Sequence, residues 1–328
     1  VEWLIDFIKS ENFDCDLKRE GRFHGAHTPI EFKKMVAECN NLKENEGIET
    51  QIIDKSDQKN EINSDLYHGG VVFPQHASLN AAKYHKDLIE KAIGLGVSVI
   101  SNCEMVDFKK KLDEFSVLTN KGPLKANNLV VATNGYTSNV TPWLNKRNIP
   151  IGSYVIATEE LPINYISSLF PTNRHITDTC RVVYYFRPSP DRKRIIFGGR
   201  VSSREIGLSK SAPLLLKDLK RVFPDLPELK ISHSWMGYVS YTFDHLPHTG
   251  SEEGLYYSMG YCGSGIALSS YLGMKLGKKV IGDKDSATAF DSLKFPTRPF
   301  YNGRPWFLPA VVELYKFRDS REMIKYMN

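Results

Sequence analysis

The stretch GYCGSGIALSSYLG, Gly260 to Gly273, places Gly260, Gly263 and Gly265 ahead of a run of small and apolar residues. This predicts a loop whose backbone a phosphate or a flat ring can approach closely, followed by a helix. In the commonest dinucleotide folds the glycine turn follows the first strand and reads G-x-G-x-x-G. Here the order is G-x-x-G-x-G, it comes late in a chain of 328 residues, and none of the 23 glycines opens a G-x-G-x-x-G. The segment is therefore a different device, or half of one.

Working outward, the chain is long enough for one large or two medium domains with a sizeable core. Hydrophobic residues make up 41%, charged residues 25% and aromatics 11%, which excludes a disordered chain. The net charge of +5 is spread over 43 basic and 38 acidic residues with no dense basic block, so the charges read as solvated surface rather than a nucleic-acid footprint. Cys15, Cys39, Cys103, Cys180 and Cys262 are odd in number and form no C-x-x-C pair. That favours a reduced, cytoplasmic setting and supports neither zinc nor a disulfide framework. No apolar run reaches the roughly 20 residues of a membrane span. The opening VEWLIDFIKSENFD lacks a signal-peptide layout and reads as the inside of an amphipathic helix, so a truncated beginning is expected.

Residues 1–66 read as a helical and connecting segment without evident chemistry, including a helix in EFKKMVAECNNLKENEG that ends at Gly47. Within 67–149 the pattern predicts a Gly-Gly turn, a strand, a helix from about Leu79 to Ile93, and strands at Val97–Ile100, Glu104–Phe108, Glu114–Thr119 and Leu129–Val131. The last of these runs into Ala132-Thr133-Asn134-Gly135, the kind of strand end where α/β folds place ligands. From 150 to 248 the pattern is antiparallel, with a Pro/Asp hairpin in VVYYFRPSPDRKRIIFGGR and a helix in APLLLKDLKRVFPDL. Residues 249–328 return to the first unit and form the tail.

Several of these segments carry a family resemblance. WMGYVSYTFDHLPHTG, LYYSMGYCGSGIALSSYLGMKLG and PTRPFYNGRPWFLPAVVELYKFRD resemble, in order and spacing, the C-terminal part of the FAD-dependent amine and amino-acid oxidoreductases of the D-amino-acid oxidase superfamily. HGGVVFPQHASLNAAKY and VVATNGYT resemble its central FAD segments, and the nearest subgroup is the gamma-glutamylputrescine oxidoreductase type. The likeness runs from about residue 11 to 320. It implies an α/β (α+β) fold: a Rossmann-like FAD-binding domain, incomplete at its N-terminus, interleaved with an antiparallel-sheet substrate domain. Two features depart from it. The family opens with a strand and the G-x-G-x-x-G turn, which this sequence lacks, and Ala81 stands where the subgroup usually has proline.

The resemblance makes Gly260, Tyr261, Cys262, Gly263, Ser264, Gly265 and Ile266 the second flavin contact, with Ala132, Thr133, Asn134 and Gly135 beside the dinucleotide and Met105 against adenine through its backbone. Tyr154, Tyr184, Tyr185, Arg187, Arg200 and Tyr241 fall on the sheet that roofs the flavin, where an arginine clamps a substrate carboxylate. Ser264, Tyr241 and Arg200 are the expected catalytic set. Asp244 is expected to tie down the turn YTFDHLPHTG, and the H-x-x-H of His245 and His248 lacks a third ligand for a metal. Pro299, Phe300, Tyr301, Pro305, Trp306 and Phe307 read as a tail-packing cluster. The implied reaction moves a hydride from a small amine to flavin N5, after which the imine hydrolyses; oxygen and a quinone stay open as acceptors. The competing reading is a flavin-free remnant of the fold that serves as a binding protein.

Overall fold

A computed structural model describes residues 1–326, so the last two residues of the expected 249–328 segment lie outside it. The helices are α1 (Glu2–Ser10), α2 (Pro29–Glu46), α3 (Ala81–Gly94), α4 (Pro142–Asn145), α5 (Ile163–Leu169), α6 (Leu208–Val222), α7 (Gly265–Val280) and α8 (Leu308–Tyr326). The first strands are β1 (Arg22–Gly25), β2 (Gln51–Ile53), β3 (Gly70–Phe73), β4 (Met105–Lys111), β5 (Glu114–Thr119), β6 (Gly122–Ala126) and β7 (Leu129–Val131). The later ones are β8 (Ile149–Thr158), β9 (His175–Asp178), β10 (Tyr185–Pro188), β11 (Ile195–Gly199), β12 (Ile231–Tyr241), β13 (His248–Glu252) and β14 (Leu255–Met259). Among the described residues no helix is long and apolar enough to cross a membrane.

Local sequence sets several of these boundaries. Thr28 caps α2 by accepting the Glu31 N–H at 3.1 Å, Pro29 fits the first helical turn, and Gly47 closes the helix with φ of 64°. Asn80 caps α3 through the N–H groups of Ala82 and Lys83. The helix starts at Ala81, two residues after its expected start, because the cap fixes the first turn. Val97–Ile100 forms no strand. Its apolar side chains stay exposed, and β-propensity alone cannot hold a strand that lacks a neighbour for its backbone groups.

An eight-stranded sheet in the order β12-β8-β11-β10-β9-β1-β3-β2 dominates the molecule. Its antiparallel part from β8 to β12 follows the expected pattern, and β1, β2 and β3 join it from segments expected to lie in the connecting and FAD-binding parts. β1 pairs parallel with β9 and antiparallel with β3. Strict alternation on these short strands splits polar from apolar. Phe23, Ile176, Phe186, Phe197 and Ile156 point to a buried core shared with Leu215 and Leu219 of α6. Arg22, His24, His175, Thr177, Tyr185 and Arg187 fall on the other register, only partly buried. Each core side chain removed from water contributes about 1.5–3 kcal/mol, so the apolar register fixes which way the polar one faces.

A second sheet, β13-β14-β7, sets β14 parallel to β7 and antiparallel to β13, and α7 leaves from the end of β14. β4, β5 and β6 form a separate antiparallel meander. α1 packs against α7, with Trp3 edge-on to Tyr271 at 5.6 Å, and Tyr84 of α3 shares a 2.8 Å hydrogen bond with Ser270.

Candidate functional site

The turn from β14 into α7 is sharp because three residues in four take left-handed φ: Gly260 at 80°, Cys262 at 49° and Gly263 at 99°. Gly260 is required twice over, since a Cβ there would stand 2.3 Å from Thr242 Cγ2. Its N–H donates to Asn134 Oδ1 at 3.1 Å, which joins the end of β14 to the end of β7. The Cys262 N–H donates to the Ser240 carbonyl at 3.1 Å and ties the same loop to β12. Gly135 lets this strand end lie against β12, where any Cβ would meet the Tyr238 carbonyl at 2.7 Å. The structure thus brings Ala132–Gly135 and Gly260–Ile266 together.

Ser264 stands at the N-cap of α7 but makes no capping hydrogen bond through its side chain, which leaves the first-turn N–H groups for another acceptor. These groups border two hollows. A groove of about 630 Å³ is lined by Val130, Ala132, Asn134, Tyr261, Gly265 and Ile266. On the other side, Gly263–Ala267 wall a cavity of about 540 Å³ whose polar lining includes Arg22, His76, His175, Tyr185 and Arg187.

Burial dominates the electrostatics of this second cavity. It lowers the basicity of the imidazoles, and Arg22 adds to the effect, so the lining rings His76 and His175 are pushed down to about 4 and about 3, and His24, outside the lining, to about 4. All three rings are therefore neutral at physiological pH. Burial also lowers Arg22 and Arg187, and the Arg22 Nε has no partner among the described residues. Arg187 donates to the Leu79 carbonyl at 3.0 Å. The Tyr185 hydroxyl pairs with Ser153, and burial raises its pKa. No aspartate or glutamate is among the residues lining the cavity.

Other expected residues lie apart. Arg200 donates to the carbonyls of Gly152 and Ser203 and, with Tyr184, lines a separate 400 Å³ cavity beside α6 and α8. Neither Arg200 nor Tyr184, both expected among the substrate contacts, lines the cavity of Gly263–Ala267: Tyr184 precedes β10 and Arg200 follows β11. Tyr154 is fully buried and its hydroxyl accepts the Ile206 N–H at 3.0 Å. Tyr241 ends β12 beside Gly263, its pKa raised by burial. Met105 starts β4 in the meander and lines neither hollow. Asp244 accepts the Leu246 N–H at 3.2 Å and bonds His248 Nε2 at 3.1 Å, while His248 stacks on Phe295 at 4.0 Å, so that imidazole is committed to the turn. In the tail cluster, the Tyr301 hydroxyl donates to the Asn148 carbonyl at 2.6 Å, whereas Phe300 is 97% exposed.

Sequence reasoning missed Arg22, His24, His76 and His175. Arg-Phe-His-Gly at Arg22–Gly25 was the available signal: a four-residue alternation with a cation and an imidazole on one face and phenylalanine on the other.

This chain belongs to the DAO family of FAD-dependent oxidoreductases, which it matches over residues 1–278. It is 29% identical over 332 residues to the gamma-glutamylputrescine oxidoreductase of Escherichia coli K12, covering 97% of this chain and 75% of that protein. A probable oxidoreductase, OrdL, of Haemophilus influenzae is 28% identical over 278 residues, 82% of this chain and 63% of its own length, so the chain spans under two thirds of that relative. The fold is similar to that of glycine oxidase from Geobacillus kaustophilus, with a TM-score of 0.74 at 18% identity over 91% of this chain and 80% of that one.

Proposed function

We propose that this chain carries the flavin-facing and substrate-facing surfaces of an FAD-dependent oxidoreductase acting on a small primary or secondary amine or an amino acid. The observation that carries the reading is the cavity between the uncapped N-terminus of α7 and the polar register of the large sheet. Its residues fit a flavin. Free N–H groups face it, and Gly265 presents no side chain, since a Cβ there meets nothing within 4 Å. Flavin, when bound, supplies the hydride acceptor for a C–H bond next to the amine nitrogen, and the resulting imine hydrolyses in water.

The protein's own residues do the rest. The N–H groups of Gly265 and Ile266 stabilise negative charge gathered on the ring, through the positive end of α7. Arg22 and Arg187 hold an anionic group of the substrate, and the sheet orients the C–H bond. Ser264 and Tyr241 flank the ring from the glycine loop and the end of β12. The phosphate turn implied by the family resemblance would pack where β7 leaves Val130 exposed, near the groove along α7. A cytoplasmic location is part of the same reading.

The test is the visible spectrum of the protein after incubation with FAD and gel filtration, recorded before and after anaerobic addition of amines. A retained flavin band that bleaches supports the proposal. A protein that stays colourless, also when extended at its N-terminus, refutes it in favour of a flavin-free binding role.

A further inference from the structure

We propose that Arg22, His76 and His175 act together as a carboxylate-triggered proton acceptor: a carboxylate seated against Arg22 enables one of the two imidazoles to take a proton from the ammonium group of the same substrate. The proposal rests on the amine-oxidation reading above and names the form in which substrate is taken.

The three side chains form one assembly. Arg22 lies beside His175 in the register of β1 with β9, and beside Phe73 in the register of β1 with β3. Its guanidinium carbon sits 4.7 Å from the centre of the Phe73 ring. The His76 ring stacks on Phe73 at 5.3 Å and lies nearly parallel to His175 at 6.5 Å. Two polar atoms in this group, Arg22 Nε and His175 Nδ1, are buried without a partner among the described residues. His24 is different, because its Nδ1 is bonded to Thr177 Oγ1 at 2.8 Å.

The charges facing the imidazoles are all positive. Arg22 acts on both from β1, and Arg187 acts on His175 from β10. The backbone of α7 adds N–H groups and no carboxylate. Two partly buried guanidinium groups make a receptor for an anion: the cavity lining holds no acid, and Asp16 reaches Arg187 alone, from outside that lining. An anion paired with Arg22 cancels the charge that, after burial, weighs most on both rings, so either ring then binds a proton more readily.

The step balances without a further reactant. An ammonium N–H bond breaks and its electron pair stays on the nitrogen as a lone pair. The proton forms a new N–H bond on the imidazole, which becomes imidazolium. The substrate is then a neutral amine beside a neutralised Arg22, and its lone pair can assist departure of the neighbouring hydride. A substrate without a carboxylate leaves Arg22 charged, the imidazoles weakly basic and the ammonium protonated. The cavity thus selects amines that also carry a carboxylate.

The experiment is isothermal titration of the whole protein with propionate, a carboxylate that has no amine to oxidise, in MES and in Bis-Tris near pH 6. Proton uptake on binding is expected, seen as a heat that differs between the two buffers. Affinity should fall as pH rises from 5 to 6, by up to about tenfold for one linked proton. The double variant His76→Asn, His175→Asn should bind propionate with the same heat in both buffers. Arg22→Gln should weaken binding at least about tenfold and, without ligand, shift the titration of both imidazoles, followed by NMR, to higher pH. Propionate that binds the unaltered protein with identical heats in both buffers overturns the proposal, as does a protein that fails to bind it. Flavin bleaching by amines is read separately: bleaching without proton uptake refutes this inference alone, and uptake without bleaching refutes the amine reading.

Discussion

Replacing Gly260 with alanine adds two penalties that the structure separates. The residue holds φ at 80°, where an L side chain costs roughly 1–2 kcal/mol. The new Cβ would also stand 2.3 Å from Thr242 Cγ2, and overpacking of this kind costs about 1–3 kcal/mol. Thr242 cannot turn away freely because its hydroxyl donates to the Leu246 carbonyl at 2.9 Å. The sum is a loss of about 2–5 kcal/mol, read in urea as a lower midpoint at unchanged slope. Gly265→Ala is the control. Its Cβ meets nothing within 4 Å and its position is helical, so stability should stay within about 1 kcal/mol of the parent. Gly265→Leu should fold equally well yet retain flavin at least about tenfold less tightly, because its side chain enters the space between groove and cavity. A Gly260→Ala protein within about 0.5 kcal/mol of the parent would refute the account of the turn, and unchanged flavin retention in Gly265→Leu would refute the site.

Two further expectations concern the large sheet and its covering helix. Burial pushes the Asp178 carboxyl up to about 8, against its hydrogen bonds from the Tyr184 and Cys180 N–H groups. Its folded value therefore lies above the unfolded one, so the protonated native form is favoured at low pH and its stability is lost as pH rises toward 8. Asp178→Asn should remove a slope of up to about 1.4 kcal/mol per pH unit between pH 5 and 8, measured by denaturation across that range; equal slopes in the two proteins would contradict it. Asp319 of α8 accepts from Arg181 at 2.8 Å and from the Val182 N–H at 3.1 Å, so Asp319→Ala should cost about 1–3 kcal/mol. Faster hydrogen exchange along α8 would report the loosened helix, and unchanged exchange would show that these bonds do not hold it.

Much of this architecture can be read from local chemistry, and the exceptions have physical causes. The cap residues Thr28, Asn80 and Gly47 mark helix ends because each satisfies backbone groups that the helix leaves open. The strands Glu114–Thr119 and Leu129–Val131 stand where apolar patterning puts them. Val97–Ile100 has the same composition but no partner, and pairing is a property of the neighbour as much as of the strand. The glycine turn was visible because unusual φ values demand glycine. The cavity wall opposite it was not, because Arg22, His76 and His175 come from three distant segments that only sheet pairing unites. Parity alone does not separate Arg187 from Arg200, because Arg187 pairs with Ile196 and Arg200 continues that parity; Arg200 differs in falling one residue beyond β11, where alternation no longer fixes direction.

As proposed above, this site passes a hydride from an amine to a flavin held by the Gly260–Ile266 turn. Its most direct test is an anaerobic single turnover of the flavin-bound protein with a carboxylate-bearing amine, quantifying bleached flavin and carbonyl product together. The account predicts one carbonyl compound formed for each flavin bleached. Flavin that stays oxidised across the amines tried, or that bleaches without carbonyl product, would contradict it.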